Sequence, residues 1–259
     1  MAPIDPHSAG AHTLQRLDGE RIAYRRLQGA GPTVVWLGGF HSDMEGSKAL
    51  ALHDWALGAG RAYLRFDYFG HGASSGAFED GTIGRWRSDA LAVIDQLTTG
   101  SLILVGSSMG GWLACLCALA RPERVKALVL IAPAADFTDK LMAPGLPPEA
   151  HTALERHGRW TRPSAYDDGG YVITARLLDE GRGWSILPPP GGAPVAITAP
   201  VRILQGGADP DVPWRHALDL AQALPGDDVV FTLIKDGDHR LSRPQDLKRM
   251  IAAVEEVCG

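Results

Sequence analysis

Short apolar runs punctuate the chain: TVVWL (33–37), AYLRF (62–66), SLILV (101–105), ALVLI (127–131), VRILQ (201–205) and VVFTLI (229–234). Most are apolar at successive positions, as strands covered on both faces are. Between them lie stretches whose apolar residues recur every three to four positions: MEGSKALALHDWALGAG, RWRSDALAVIDQLTTG, GGWLACLCALARPERV, WRHALDLAQALPGD and RPQDLKRMIAAVEEV. That spacing predicts helices, and several of them stop at Gly or Pro. Strand alternating with helix predicts an α/β chain with a doubly wound, mostly parallel sheet and right-handed crossovers. Upstream, HTLQRL and RIAYRRL flank Asp18-Gly19, a two-residue turn signal that predicts a hairpin adding antiparallel strands at one edge.

The rhythm breaks between Pro133 and Pro200, where Pro, Gly and charge dominate (APGLPPEAH, LPPPGGAP) and only short periodic pieces such as YVITARLLDEG remain. Structureless stretches of that length are rare in compact domains, so the segment reads as a lid over the C-terminal edge of the sheet. The expected organisation is one domain, 1–259, with a lid insertion at about 133–200.

One junction carries chemistry. Gly106-Ser107-Ser108-Met109-Gly110 reads G-x-S-x-G and sits where a strand ends and a helix begins, the context that makes this motif a nucleophile elbow. Ser108 is the candidate nucleophile. Gly106 and Gly110 are needed because side chains there would collide with the neighbouring strand and helix. A serine hydroxyl needs a base. Of nine histidines, His7 and His12 lie in the N-terminal lead, His53 and His216 in helical patterns, and His151 and His157 in the presumed lid. His239 stands apart, in a loop just after the last strand on the same sheet edge as Ser108. For the carboxylate that fixes the imidazole tautomer, LQGGADPDVPW offers Asp209 and Asp211. Asp209 is chosen as nearer the strand end, with Asp211 directed outward by the Pro-x-x-Pro turn; Asp238, beside His239, reads as a turn-former. The oxyanion donors would be the N–H groups of Met109 and of Phe40, the latter in the loop opened by Gly38-Gly39.

Composition narrows the partners. A net charge of −5 provides no basic field for nucleic acid. Nowhere do eighteen apolar residues run together, and MAPIDPHSAGAHTLQ lacks the basic and apolar regions of an export signal. Cys115, Cys117 and Cys258 suggest no disulfide framework. The expectation is a soluble, cytoplasmic protein without cofactor, without metal and without a membrane span, acting on a small-molecule or acylated-protein substrate. A metal reading of Asp67, His71 and His41 lacks recognisable ligand spacing.

Four motifs, GGF, FDYFGHGASSG, GSSMGGW and GDHR, stand at the positions and spacings of α/β-hydrolases, so nearly the whole chain resembles that superfamily. GFHSDM, GSSMGGWLACLCALARPERV, DPDVPW and GDHR resemble in particular the branch of mitochondrial palmitoyl-protein thioesterases that also cleave acyl glucuronides, with their bacterial relatives. The resemblance implies an α/β-hydrolase fold with an eight-stranded sheet, helices on both faces and a small lid. It places nucleophile, acid and base on Ser108, Asp209 and His239, and implies that Asp67 and His71 fasten a loop. Two positions depart from the commonest superfamily pattern: Gly38 stands where many members carry His, and the base follows Asp238 rather than Gly.

The expected activity is hydrolysis of esters or thioesters through an acyl-serine, with Trp112, Phe137 and Trp214 as candidate apolar walls. The same three groups serve amidases, peptidases and carbon–carbon bond hydrolases, and the fold also occurs in ligand-binding receptors.

Overall fold

Each of the six apolar runs lies in a strand, and the strand period of two divides their side chains between two cores. The computed structural model of the chain describes residues 10–162, 170–189 and 191–259. Its main sheet is built from β1 (His12–Gln15), β2 (Arg21–Leu27), β3 (Ala30–Leu37), β4 (Arg61–Phe66), β5 (Leu102–Ser107), β6 (Val125–Ile131), β9 (Val201–Gly206) and β10 (Val229–Ile234). Their order across the sheet is β1-β2-β4-β3-β5-β6-β9-β10, eight strands. From β4 onward the strands run parallel, while β1, β2 and β4 pair antiparallel at the edge where the hairpin was predicted. The connection differs from the expected two-residue turn: Gln15 pairs with Arg21 and the Arg16 N–H donates to the Glu20 carbonyl at 2.8 Å, which closes a loop of residues 17–19 in which Gly19 takes φ +88° and the Asp18 carboxylate accepts the Glu20 N–H at 3.1 Å.

On one face Val35, Leu37, Leu102 and Leu104 meet residues of α2 (Ile83–Leu97), α3 (Met109–Ala120) and α6 (Trp214–Ala223). On the other, Val34, Trp36, Ile103 and Val105 meet α1 (Ser47–Gly58) and α7 (Pro244–Cys258). Local signals set the helix starts. Thr82 caps α2 by accepting the Arg85 N–H at 3.2 Å, and Pro244 opens α7, where its missing N–H costs nothing. Because β3, β4, β5, β6, β9 and β10 run parallel, their C-terminal ends open toward one edge.

The 133–200 segment is more regular than its composition suggests. It contains a π-helical turn at Thr138–Met142, α4 (Pro148–His157), a separate antiparallel hairpin of β7 (Arg159–Arg162) and β8 (Tyr171–Thr174), and α5 (Ala175–Arg182). YVITARLLDEG splits in two at Thr174, whose hydroxyl accepts the Leu177 N–H at 3.1 Å and so ends the strand and caps the helix. Residues 163–169 and Pro190, within the predicted lid, lie outside the described residues, as does His7.

The base of this insertion is tied shut. Ala134 donates its N–H to the Ser108 carbonyl at 3.1 Å. Asp136, fully buried at φ +54°, accepts the N–H groups of Ile186 and Leu187 at 2.8 and 2.9 Å. The His216 ring N–H donates to the Ala135 carbonyl at 2.7 Å, which accounts for that histidine as a buried polar contact.

Candidate active site

Ser108 lies between β5 and α3 with φ +55° and ψ −120°, a conformation strained for any residue with a Cβ. Two glycines permit it. A Cβ on Gly106 would stand 2.2 Å from the Gly110 carbonyl oxygen, and one on Gly110 would stand 2.0 Å from that of Leu37. Backbone packing of β5 against α3 and of α3 against β3 thus demands the G-x-S-x-G pattern, with the serine raised at the strand end.

The loops after β9 and β10 bring the other groups to it. His239 Nε2 lies 3.1 Å from Ser108 Oγ, and His239 Nδ1 lies 2.8 Å from Asp209 Oδ2. Exposure falls along this line: the His239 side chain is 20% exposed and that of Asp209 0%. Asp209 is surrounded by donors. Its Oδ1 accepts the N–H groups of Asp211 and Val212, both at 2.9 Å, and its Oδ2 accepts the side-chain amide of Gln205 at 3.1 Å besides His239. Four donors on its two oxygens fix this carboxylate in plane. Asp211 is exposed, and Asp238 closes a turn by accepting the Leu241 N–H at 2.9 Å.

Gln205 escaped the sequence reading. It ends the run VRILQ, is fully buried, and donates also to the Val212 carbonyl at 2.9 Å, which pins the loop that carries Asp209. Its one signal was a polar side chain closing an otherwise apolar strand. Lys48 of α1 is a second such residue: its ammonium donates to the Arg240 carbonyl, next to the base, and burial pushes its pKa down to about 8.

The Gly38–Ser42 loop passes beside the nucleophile, since a Cβ on Gly39 would lie 3.5 Å from that of Ser108. The Gly39 carbonyl accepts from Ser42 through both its N–H (3.3 Å) and its hydroxyl (2.8 Å), with His41 at φ +58°. In a trans peptide the N–H opposes the carbonyl, so the Phe40 N–H is directed away from this turn. Met109 is the first residue of α3, whose opening N–H groups have no partner within the helix.

Aromatic rings cover the loop. Phe40 meets Phe78, Trp86, Phe137 and Tyr171 at centroid distances of 4.9, 5.9, 5.7 and 6.2 Å, joining the loop after β3 to two lid residues. His41 packs edge-on against Phe78 and Tyr171. Of the expected walls, Phe137 belongs to this group. Trp112 does not line it: with 0% exposure it backs Phe137 at 5.8 Å and donates its indole N–H to the Trp184 carbonyl, because α3 turns that position into the core. Trp214 opens α6 with the Arg215 guanidinium 4.2 Å over its ring and, among the described residues, is not brought into the aromatic group.

Asp67 and His71 occupy the loop after β4. Asp67 accepts the N–H groups of Met44 and Ala73 at 2.7 and 2.8 Å, while burial raises its pKa to about 6. Burial lowers that of His71 to about 4, and its ring packs against Tyr68, Phe78 and Trp86. Both fasten chain segments. Donor atoms of Asp209, Asp211 and His239 lie within 4.8 Å of one another, spacing that a cation could span. The donors already held by both Asp209 oxygens fit a hydrogen-bonded carboxylate better than a ligand.

Residues 7–250 match the profile described as the alpha/beta hydrolase family. The mouse mitochondrial palmitoyl-protein thioesterase ABHD10 is 39% identical over 246 residues, 94% of this chain and 81% of that protein. Among solved structures, a protein from Agrobacterium vitis S4, provisionally classed as a hydrolase, superposes with a TM-score of 0.90 at 45% identity, covering 96% of this chain and 98% of its own. The mouse ABHD10 structure superposes with a TM-score of 0.86 at 38% identity, with the same coverage.

Proposed function

The chain belongs to the alpha/beta hydrolase family, and from that footing we propose that it is a serine hydrolase cleaving carboxylic esters and thioesters, S-palmitoyl groups among them, with the 133–200 segment as the lid of one catalytic domain. The observation that carries this reading is the single imidazole bridging Ser108 Oγ at 3.1 Å and Asp209 at 2.8 Å.

In the proposed cycle His239 Nε2 takes the Ser108 proton as Oγ adds to the acyl carbon. The carbonyl electron pair moves onto oxygen, where the N–H groups of Phe40 and Met109 receive the negative charge. Collapse expels the alkoxide or thiolate, which takes the proton from His239, and leaves an acyl-serine. Water, deprotonated by the same nitrogen, then adds to the acyl carbon and releases the acid. Asp209 holds the Nδ1–H tautomer throughout. The start of α3 places its dipole under the developing charge, and the aromatic group around Phe40 gives an acyl chain an apolar surface. The thioesterase activity for which the mouse relative is named favours a fatty acyl group on sulfur.

No helix among the described residues is long and apolar enough to cross a membrane. All three cysteines are unpaired and buried, which supports a reducing compartment, and we place the protein in the cytoplasm.

The test is steady-state hydrolysis of p-nitrophenyl esters from acetate to palmitate and of an S-palmitoyl peptide, with labelling by a fluorophosphonate. Wild type is expected to turn over and to be labelled on Ser108. Ser108→Ala is expected to lose both, by more than about 10³-fold in rate. Turnover that survives Ser108→Ala, or label on another residue, overturns the reading; binding of acyl ligands without turnover marks a receptor.

A further inference from the structure

The last strand of the main sheet, β10, has an edge whose chemistry specifies a partner. The carbonyl of Asp228, just before β10, accepts the Val201 N–H at 2.9 Å, and the strand's own Ile234 carbonyl accepts the Gly207 N–H at 2.8 Å. Backbone groups of a strand alternate sides with period two, so the even-numbered residues face β9. The N–H and C=O groups of Val229, Phe231 and Leu233 therefore face the open side, where no other strand among the described residues pairs with them.

Edges of this kind are ordinarily blunted by charge, proline or a bulge. The sequence VVFTLI has neither charge nor proline, and its pairing with β9 is continuous over all six residues. Val230 and Leu233 are 44% and 46% exposed.

We propose that this edge pairs antiparallel with the same strand of a second copy, joining two sheets into one across a two-fold axis. Such an axis, perpendicular to the sheet, pairs only residues whose side chains share a face, so paired residue numbers differ by an even number or coincide. Centring the axis on Phe231 uses every outward group: Phe231 exchanges hydrogen bonds with its own mate, and Val229 with Leu233 of the second copy. The same register sets Asp227 opposite Lys235. Both are exposed, and neither has an ion-pair partner among the described residues; the neighbouring Asp228 is already held by Arg202 at 2.7 Å. Centring on Thr232 instead would face Asp228 with Asp236, two carboxylates, and centring on Val230 would leave Asp227 opposite Leu233. Charge thus selects the register that the hydrogen bonds also favour.

The experiment is sedimentation velocity from about 1 to 200 µM, where a weak interface of this class reports itself. Wild type is expected to dimerise within that range. Asp227→Lys and Lys235→Asp should each raise the dimer Kd by about 5-fold or more, and the double reversal should bring it back toward wild type. Phe231→Pro, which removes an outward N–H and no bond to β9, should leave a monomer, with circular dichroism confirming its fold. A wild type monomeric throughout, or a dimer indifferent to these substitutions, overturns the proposal.

Discussion

The side-chain amide of Gln205 donates, at 3.1 Å, to the same Asp209 oxygen that meets His239. Orientation of the acid thus rests in part on a residue that touches neither the nucleophile nor the base. Replacing Gln205 by Leu keeps the volume and deletes one of the four donors, leaving Oδ2 with His239 alone and the carboxylate less firmly oriented. The expected result is a kcat lower by about 10- to 100-fold with KM little changed, since sub-ångström misplacement of catalytic groups costs rate before binding. The downfield proton resonance of the His239–Asp209 hydrogen bond should broaden or move. A variant with wild-type kcat and an unmoved resonance would show that the two backbone N–H groups suffice.

Gly110→Ala tests the elbow from below. Its new methyl would stand 2.0 Å from the Leu37 carbonyl, so α3 must lift from β3 or the loop after β3 must move. A loss of about 3 kcal/mol or more is expected in urea unfolding, of the order seen for overpacked cores and above. Fluorophosphonate labelling should fall further than the residual fold does.

His71 ties stability to pH. Its folded pKa is depressed to about 4 by burial, while the unfolded chain titrates near its ordinary 6.5. Between those values the unfolded state binds the proton that the folded state refuses, so stability falls as pH falls from about 6.5 to about 4. The limit is of order 3 kcal/mol. Asp67 acts with the opposite sign: its pKa is raised to about 6 by burial, so its contribution is present below its ordinary 3.8 and is lost as pH rises through about 6. Urea unfolding of wild type and His71→Gln across pH 4 to 7 separates the two. The difference curve should slope only in the histidine window, and equal slopes would refute the assignment.

Asp136→Asn should loosen the lid at its base. The carboxylate accepts two N–H groups, from Ile186 and Leu187, and an amide offers one oxygen for both and turns its NH2 on the other. Amide exchange at Ile186 and Leu187 should accelerate by about 10-fold or more, matching the roughly 1.5 to 3 kcal/mol of a hydrogen bond to a charged group. KM for long-chain esters should rise more than kcat falls.

How far these parts were legible in the sequence follows from the range of the forces behind them. The strands showed because TVVWL or ALVLI must be apolar on two faces. Ser108 showed because backbone collisions reserve positions 106 and 110 for glycine and so frame the serine between them. The choice of Asp209 over Asp211 and Asp238 rested on strand position and turn chemistry; Asp209 meets His239 and Asp238 closes a turn, while Asp211 is exposed yet stays within 4.8 Å of donor atoms of Asp209 and His239. Gln205 gave only the signal of a polar residue closing an apolar strand, and Lys48 and Asp136 gave none, because each of those two acts on backbone groups far away in sequence that carry no residue identity. Trp112 was misassigned for a related reason: aromatic character marks an apolar surface without telling an open wall from the packing behind it.

The doubly anchored insertion has an evolutionary reading. Ala134 is bonded to the carbonyl of Ser108, and Asp136 gathers Ile186 and Leu187, so the chain leaves and rejoins the sheet through a closed neck. The described part of the insertion beyond that neck touches the main domain through side chains, as where Phe40 meets Phe137 and Tyr171 and where Glu180 accepts the Gly84 N–H, so its length and sequence can vary while Ser108, Asp209 and His239 keep their places. Selection can retarget such a molecule by rewriting the loop alone, and a designer could graft a foreign loop at the same two stitches.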